Sequence, residues 1–183
     1  MSLVIIDRDG VINFDSDDYI KSAEEWRAIP GSLEAIARLS QTGFTVAVAT
    51  NQSGLARGLF DLDDLESMHA KFLEQLAALG GEVAGIFYCP HHPDDKCHCR
   101  KPEPGLIEAI ENELGQPAAG AWFVGDSLKD MEAALSKSCR PILVRSGKGE
   151  RTEARLTEDM RAAVLIVDDL AAAADYIARQ AGD

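Results

Sequence analysis

Two aspartates, Asp7 and Asp9, follow the apolar run Leu3-Val4-Ile5-Ile6 and precede Gly10. One such carboxylate can attack phosphorus and form an acyl phosphate, splitting a difficult displacement into two steps. The other can protonate the leaving oxygen and then deprotonate the water that cleaves the intermediate. Adjacent carboxylates repel unless a cation or a shared proton relieves them, so the pair points to Mg²⁺ beside a nucleophile. A second apolar run, Trp122-Phe123-Val124-Gly125, also ends in an acid, Asp126, with Asp130 four residues on. Mg²⁺ takes one or two carboxylates together with water and phosphate oxygens, and Asp126 beside Asp7 would complete that set. Thr50-Asn51-Gln52-Ser53-Gly54 closes a third apolar run and offers a hydroxyl and amides to phosphoryl oxygens. Arg100-Lys101-Pro102 supplies the fixed cation that a transferring phosphoryl group requires. Taken singly, these motifs also read as an acidic turn, a polar loop and a solvated basic pair.

A separate chemistry lies between residues 89 and 99, Cys89-Pro90-His91-His92-Pro93-Asp94-Asp95-Lys96-Cys97-His98-Cys99. Thiolates with an imidazole suit tetrahedral Zn²⁺. Four ligands close the shell, which favours a structural zinc over a catalytic one. Cys89, His91, Cys97 and Cys99 are the expected ligands, with His92 and His98 competing for the histidine position. The loop has too little apolar content to order itself, so the metal would supply the order. Cys139 precedes an apolar run and reads as a small packed residue. His69 falls within a helical pattern and reads as structural or solvent-facing.

These residues need a frame. Apolar, β-rich runs at residues 3–7, 44–50, 83–89, 121–125, 141–144 and 164–167 alternate with helical patterns at 32–41, 61–79, 104–114, 128–136 and 168–179. That rhythm predicts an α/β fold, a mostly parallel sheet with helices on both faces. Ligands of such sheets gather at the carboxyl ends of the strands, where the aspartate, threonine and second aspartate motifs fall. The segments 13–29, 52–60, 90–104 and 146–156 read as irregular.

The chain has 183 residues, 46% hydrophobic and 27% charged, which predicts one domain spanning 1–183 with an ordinary globular core. A formal net charge of −13 argues against a nucleic-acid partner. An acidic protein that handles phosphate must therefore build a local cationic site. No apolar stretch approaches the ~20 residues of a membrane span, and the amino terminus has no signal-peptide pattern. Cytoplasmic location, reduced thiols and a monomer are the expectations.

Asp-x-Asp-Gly, then Thr-Asn, then Lys, then Gly-Asp-x-x-x-Asp, in this order, resembles the haloacid dehalogenase (HAD) superfamily of phosphotransferases. The resemblance covers residues 3 to about 144 and implies a Rossmann-like fold without a large cap domain. With the cysteine loop placed directly before Arg100-Lys101-Pro102, and with Ser53-Gly54-Leu55-Ala56-Arg57-Gly58 and Gly147-Lys148-Gly149, the chain looks like the heptose bisphosphate phosphatase family. Histidinol-phosphate phosphatases are the alternative. The resemblance implies Asp7 as nucleophile and Asp9 as general acid and base. It implies Mg²⁺ on Asp7, the backbone carbonyl of Asp9, and Asp126. Thr50 and Lys101 would stabilise the transferring phosphoryl group, and Asp130 would orient Lys101 or a metal-bound water. A sugar bisphosphate would meet Asp15, Tyr19, Asn51, Gln52, Ser53, Arg57, Arg100 and Ser127. Arg57, Arg100 and Lys148 are the candidate anion holders, Arg100 through the phosphate that is not cleaved.

Overall fold

The structure is a computed structural model that describes residues 2–182. Six strands form one sheet: β1 (Leu3–Ile6), β2 (Thr45–Asn51), β3 (Gly85–Cys89), β4 (Trp122–Gly125), β5 (Arg140–Val144) and β6 (Leu165–Val167). Their order is β3-β2-β1-β4-β5-β6, and every neighbouring pair is parallel. The runs expected to be strands are strands.

The pleat divides the apolar residues between two cores. Val4, Ile6, Val46, Val48 and Val124 face one layer, made by α1 (Ser32–Gln41), α2 (Leu62–Ala78) and α7 (Leu170–Ala181). Leu3, Ile5, Ala47, Ala49 and Phe123 face the other, made by α3 (Gly105–Leu114) and α4 (Leu128–Ser136). Cover on both faces is why these strands read as continuous apolar runs rather than alternating ones. The helices begin with local signals: the Asp61 side chain caps α2 and Ser127 caps α4, each within a reciprocal capping box.

The segment 146–156 departs from expectation. It contains a helix, α5 (Gly149–Arg155), followed by α6 (Glu158–Ala163). In α5 only Gly149 and Thr152 are buried, so seven residues carry too few apolar positions to show a helical period. Between β1 and α1 there is neither helix nor strand, only isolated bridges from Asn13 to Asp9 and to Ala28. The strand order changes direction between β1 and β4, and such switch points open a crevice at the carboxyl edge. Asp7 immediately follows β1 and Asp126 immediately follows β4. The Asp7 N–H extends the pairing of β1 with β4 by donating to the Val124 carbonyl at 2.9 Å.

Candidate active site

Lys101 lies at the centre of the crevice, 3% exposed, and donates from Nζ to three oxygens. These are Asp7 Oδ1 at 2.8 Å, Asp130 Oδ1 at 2.7 Å and the Ala49 carbonyl at 2.8 Å. Burial alone would lower its pKa, but Asp130 and Asp7 outweigh that and raise it. Asp130 is fully buried, and its second oxygen accepts from the N–H groups of Asp126 and Ser127 and from Ser127 Oγ. Asp130 thus ties Lys101 to the start of α4. Burial, reinforced by Asp130 and Asp126 against Lys101, pushes the Asp7 carboxyl well above its ordinary 3.8.

Asp126 is held by the Lys148 N–H, which donates to Oδ2 at 2.9 Å, while its carbonyl accepts from Thr152 Oγ1 at 2.8 Å. Burial and the Asp130 charge raise its pKa to about 7. Oxygens of Asp7, Asp126 and Asp130 lie within 4.8 Å of one another. When all three carboxyls are ionised they exceed the one ammonium by two negative charges, which suits a hard divalent cation with oxygen ligands. Gly10 and Gly147 frame this space at φ of 84° and 58°, and a Cβ on either would collide with Asp126 Oδ2. These two positions need glycine for backbone conformation and for room alike.

Asp9 is held from two sides. Its Oδ1 accepts from Arg8 Nη2 at 2.8 Å, Arg8 Nε at 3.2 Å and Asn13 Nδ2 at 2.9 Å, and its Oδ2 accepts from Gln52 Nε2 at 2.9 Å. Burial would raise its pKa, but Arg8, Asn13 and Gln52 together hold it below the ordinary value. Gln52 also donates to Thr50 Oγ1 at 2.9 Å. Asn51 is engaged with the Lys101 backbone: its Nδ2 donates to the Lys101 carbonyl at 3.1 Å and its Oδ1 accepts from the Lys101 N–H at 3.0 Å. Residue types alone made Gln52 and Asn51 look like substrate ligands. In the structure their side chains also fix Asp9 and Lys101.

A cavity of about 860 Å³ opens over these groups. Of the residues expected to meet the sugar, Asp15, Tyr19, Asn51, Gln52, Ser53, Arg100 and Ser127 line it, as does Lys148. Arg57 is not among the lining residues; its guanidinium lies 5.8 Å from the centre of the Tyr19 ring. Lys148 Nζ lies 3.6 Å from Asp15 Oδ2. Lys129, Arg151, Thr152 and Arg155 also line the cavity and escaped sequence reasoning. Lys129 follows the motif acid by three residues, but the last three all depend on α5, which no pattern revealed. Partial burial and the nearby charges of Arg100 and Lys148 lower the Lys129 pKa. Nη1 of Arg100 is buried without a hydrogen-bond partner among the described residues.

The cysteine loop leaves the end of β3 and carries one turn of 3₁₀ helix, Pro93–Asp95. Ligand atoms of Cys89, His91, Cys97 and Cys99 gather within 4.8 Å. The Cys89–Cys97 and Cys97–Cys99 sulfurs are 3.5 and 3.7 Å apart, close to the ~3.8 Å edge of a tetrahedral thiolate site, while Cys89 and Cys99 stand closer, at 2.9 Å. The competing histidines are engaged elsewhere. His92 Nδ1 accepts from the Asp94 N–H at 3.1 Å, and His98 Nε2 meets Glu108 Oε2 at 2.6 Å. The cluster can therefore hold a metal through the four residues expected. Cys139 is buried, as expected, with its thiol donating to the Ala118 carbonyl.

A parallel sheet that delivers carboxylates, a threonine and a buried lysine to one crevice is the layout of a haloacid dehalogenase-type hydrolase. A family model described as HAD-hydrolase-like matches residues 98–173. A D-glycero-beta-D-manno-heptose-1,7-bisphosphate 7-phosphatase of Pseudomonas aeruginosa is 60% identical over 176 residues, 96% of this chain and 97% of that protein. The protein so named in Pseudomonas putida is 57% identical, over 95% of this chain and 98% of its own. A crystal structure of the D,D-heptose 1,7-bisphosphate phosphatase of Bordetella bronchiseptica, complexed with magnesium and phosphate, superposes with a TM-score of 0.93. Its identity is 50%, covering 98% of this chain and 99% of that one. The chain belongs to the heptose 1,7-bisphosphate 7-phosphatase family.

Proposed function

We propose that this chain is a Mg²⁺-dependent phosphatase that removes the 7-phosphate of D-glycero-β-D-manno-heptose 1,7-bisphosphate. The observation that carries the reading is the buried chain from Asp130 through Lys101 to Asp7, which meets Asp9 and Asp126 at one cavity. Asp7 attacks phosphorus, the bond from phosphorus to the C7 oxygen breaks, and Asp9 gives its proton to the departing alkoxide. Water then attacks the aspartyl phosphate as Asp9 takes a proton from it, freeing phosphate and restoring both Asp7 and the Asp9 acid. Arg8, Asn13 and Gln52 hold the Asp9 carboxyl below its ordinary pKa against its burial; an incoming phosphate dianion raises that pKa and favours the acid form. Lys101 and Thr50 stabilise charge on the phosphoryl oxygens. Mg²⁺, held by Asp7, the Asp9 carbonyl and Asp126, neutralises that charge as a Lewis acid.

Arg100, Lys129 and Lys148 are the candidates to hold the 1-phosphate. Their mutual repulsion and the unpartnered Arg100 nitrogen favour an anion there. Asp15, Tyr19, Ser53 and Ser127 line the sugar path. The β anomer is proposed because it is the substrate form for which the relatives are named. Zn²⁺ on Cys89, His91, Cys97 and Cys99 is structural. One domain, a monomer, working in the cytoplasm on heptose precursors of lipopolysaccharide, completes the proposal; among the described residues no helix is long and apolar enough to cross a membrane.

Steady-state assay of both anomers of the bisphosphate alongside histidinol phosphate tests this. We expect kcat/KM highest on the β anomer, with histidinol phosphate at least ~100-fold lower because it leaves the second cationic site unpaired. A higher value on histidinol phosphate overturns the assignment.

A further inference from the structure

Arg8 is among the largest fully buried side chains, and the reaction as derived gives it no part. Its Nε and Nη2 both donate to Asp9 Oδ1. Its remaining terminal nitrogen, Nη1, reaches α2, lying 3.2 Å from His69 Nε2 and 3.8 Å from the Met68 sulfur. A guanidinium has donors only, so His69 Nε2 must accept, and the ring is the tautomer protonated at Nδ1. The ring is partly covered and stands 6.4 Å from that of Tyr88. His69 is thus the polar anchor at the far end of a three-member line: imidazole, guanidinium, carboxylate. The contacts join residues sixty-one apart in sequence, so α2 sets where the guanidinium plane lies.

We infer that His69, acting through Arg8, fixes the orientation of the Asp9 carboxylate and is a positioning residue for proton transfer at the leaving oxygen. The inference rests on Asp9 as the general acid. A carboxylate clamped on Oδ1 by Arg8 and Asn13 keeps Oδ2 as the edge that exchanges protons, with the Gln52 amide as its side-chain partner among the described residues. Without the acceptor on α2, the guanidinium can rotate and carry Asp9 off its line. An alkoxide needs the proton to leave, whereas p-nitrophenolate leaves without one. Misplacement of the acid therefore slows phosphoryl transfer from the sugar and spares the aryl ester.

The test compares kcat/KM, which reports the steps through leaving-group departure, for heptose 1,7-bisphosphate and p-nitrophenyl phosphate. For His69→Leu we expect a loss of roughly 10- to 100-fold on the sugar and less than about 3-fold on the aryl ester. His69→Gln, whose Oε1 can accept from Arg8, restores the sugar reaction to within about 3-fold. Equal losses on both substrates, or no loss on either, overturn the inference. Should His69→Leu not fold, Arg8→Lys, which keeps the charge and loses the fork, must show the same contrast or the inference fails. Asp9→Asn is the control for the underlying reading. If it shows no contrast between the substrates, Asp9 is not the general acid; if it does and the His69 variant does not, the anchor alone is refuted.

Discussion

Lys101 is the residue on which most of the site depends. It is an ammonium buried among Asp7, Asp130 and the Ala49 carbonyl, and its charge makes two buried carboxylates tolerable. Removing one partner of a buried pair costs about 3–5 kcal/mol, because it strands the other charge. Lys101→Met is therefore expected to lower Tm by about 6–20 °C for a chain of this size and to reduce kcat by at least ~100-fold. The variant adds a pH signature. Asp7 already has a raised pKa in the folded state, and losing Lys101 raises it further. A raised carboxyl destabilises the fold at pH above its folded pKa and is relieved as pH falls through that value. The stability deficit measured by urea unfolding should accordingly be smaller at pH 5 than at pH 8; a deficit independent of pH would refute the charge argument. At this scale the sequence was legible as a set of chemical types. Asp7, Asp9, Thr50, Lys101 and Asp126 all gather at the crevice as expected. Side-chain direction was not legible. Asn51 ends β2 and Gln52 follows it, yet their amides turn toward the Lys101 backbone and Asp9. His69 looked inert because its partner Arg8 lies in a different element.

Among the elements, the loop between β3 and α3 has little apolar burial to order it beyond the cluster of Cys89, His91, Cys97 and Cys99. Its residues 90–98 are at most partly buried, and the 3₁₀ turn within it buries nothing. A metal joining residue 89 to 97 and 99 would close the loop just before Arg100 and Lys101 and so link the metal mechanically to the buried lysine. Purified protein should contain one equivalent of zinc by elemental analysis. Removing it with a chelator should lower Tm by about 10 °C and lower activity, both restored by zinc and not by added magnesium. Full activity in a zinc-free sample would sink the structural role. The elements were the most legible scale where a period had room to repeat: six strands and five helices lie where apolar spacing put them. The short α5 was hidden because its seven residues bury only a glycine and a threonine. It takes its place from tertiary contacts, among them the Thr152 hydroxyl on the Asp126 carbonyl.

For the whole molecule, the question is how a chain of net charge −13 attracts a bisphosphate. The surplus is spread over the surface, where charges beyond ~10 Å are largely screened at 0.1 M salt. Arg100, Lys129 and Lys148 face the cavity together, close enough for Arg100 and Lys148 to lower the Lys129 pKa. Low-dielectric walls focus such a local field and weaken its screening. The near field should therefore win at physiological salt, and kcat/KM for the bisphosphate should fall as salt is raised from about 0.05 to 0.3 M. Removing two of the six basic side chains that line the cavity, in Arg100→Ala with Lys129→Ala, tips the balance toward the global repulsion. The salt dependence then changes sign, and kcat/KM rises with salt. A monophosphate substrate, which leaves the second cationic site unused, should lose much less from the double substitution, and the bisphosphate loss should lie mainly in KM. If both proteins show the same sign of salt dependence, the cationic cluster does not steer the substrate, and the acidic surface must be overcome by contacts made only after binding.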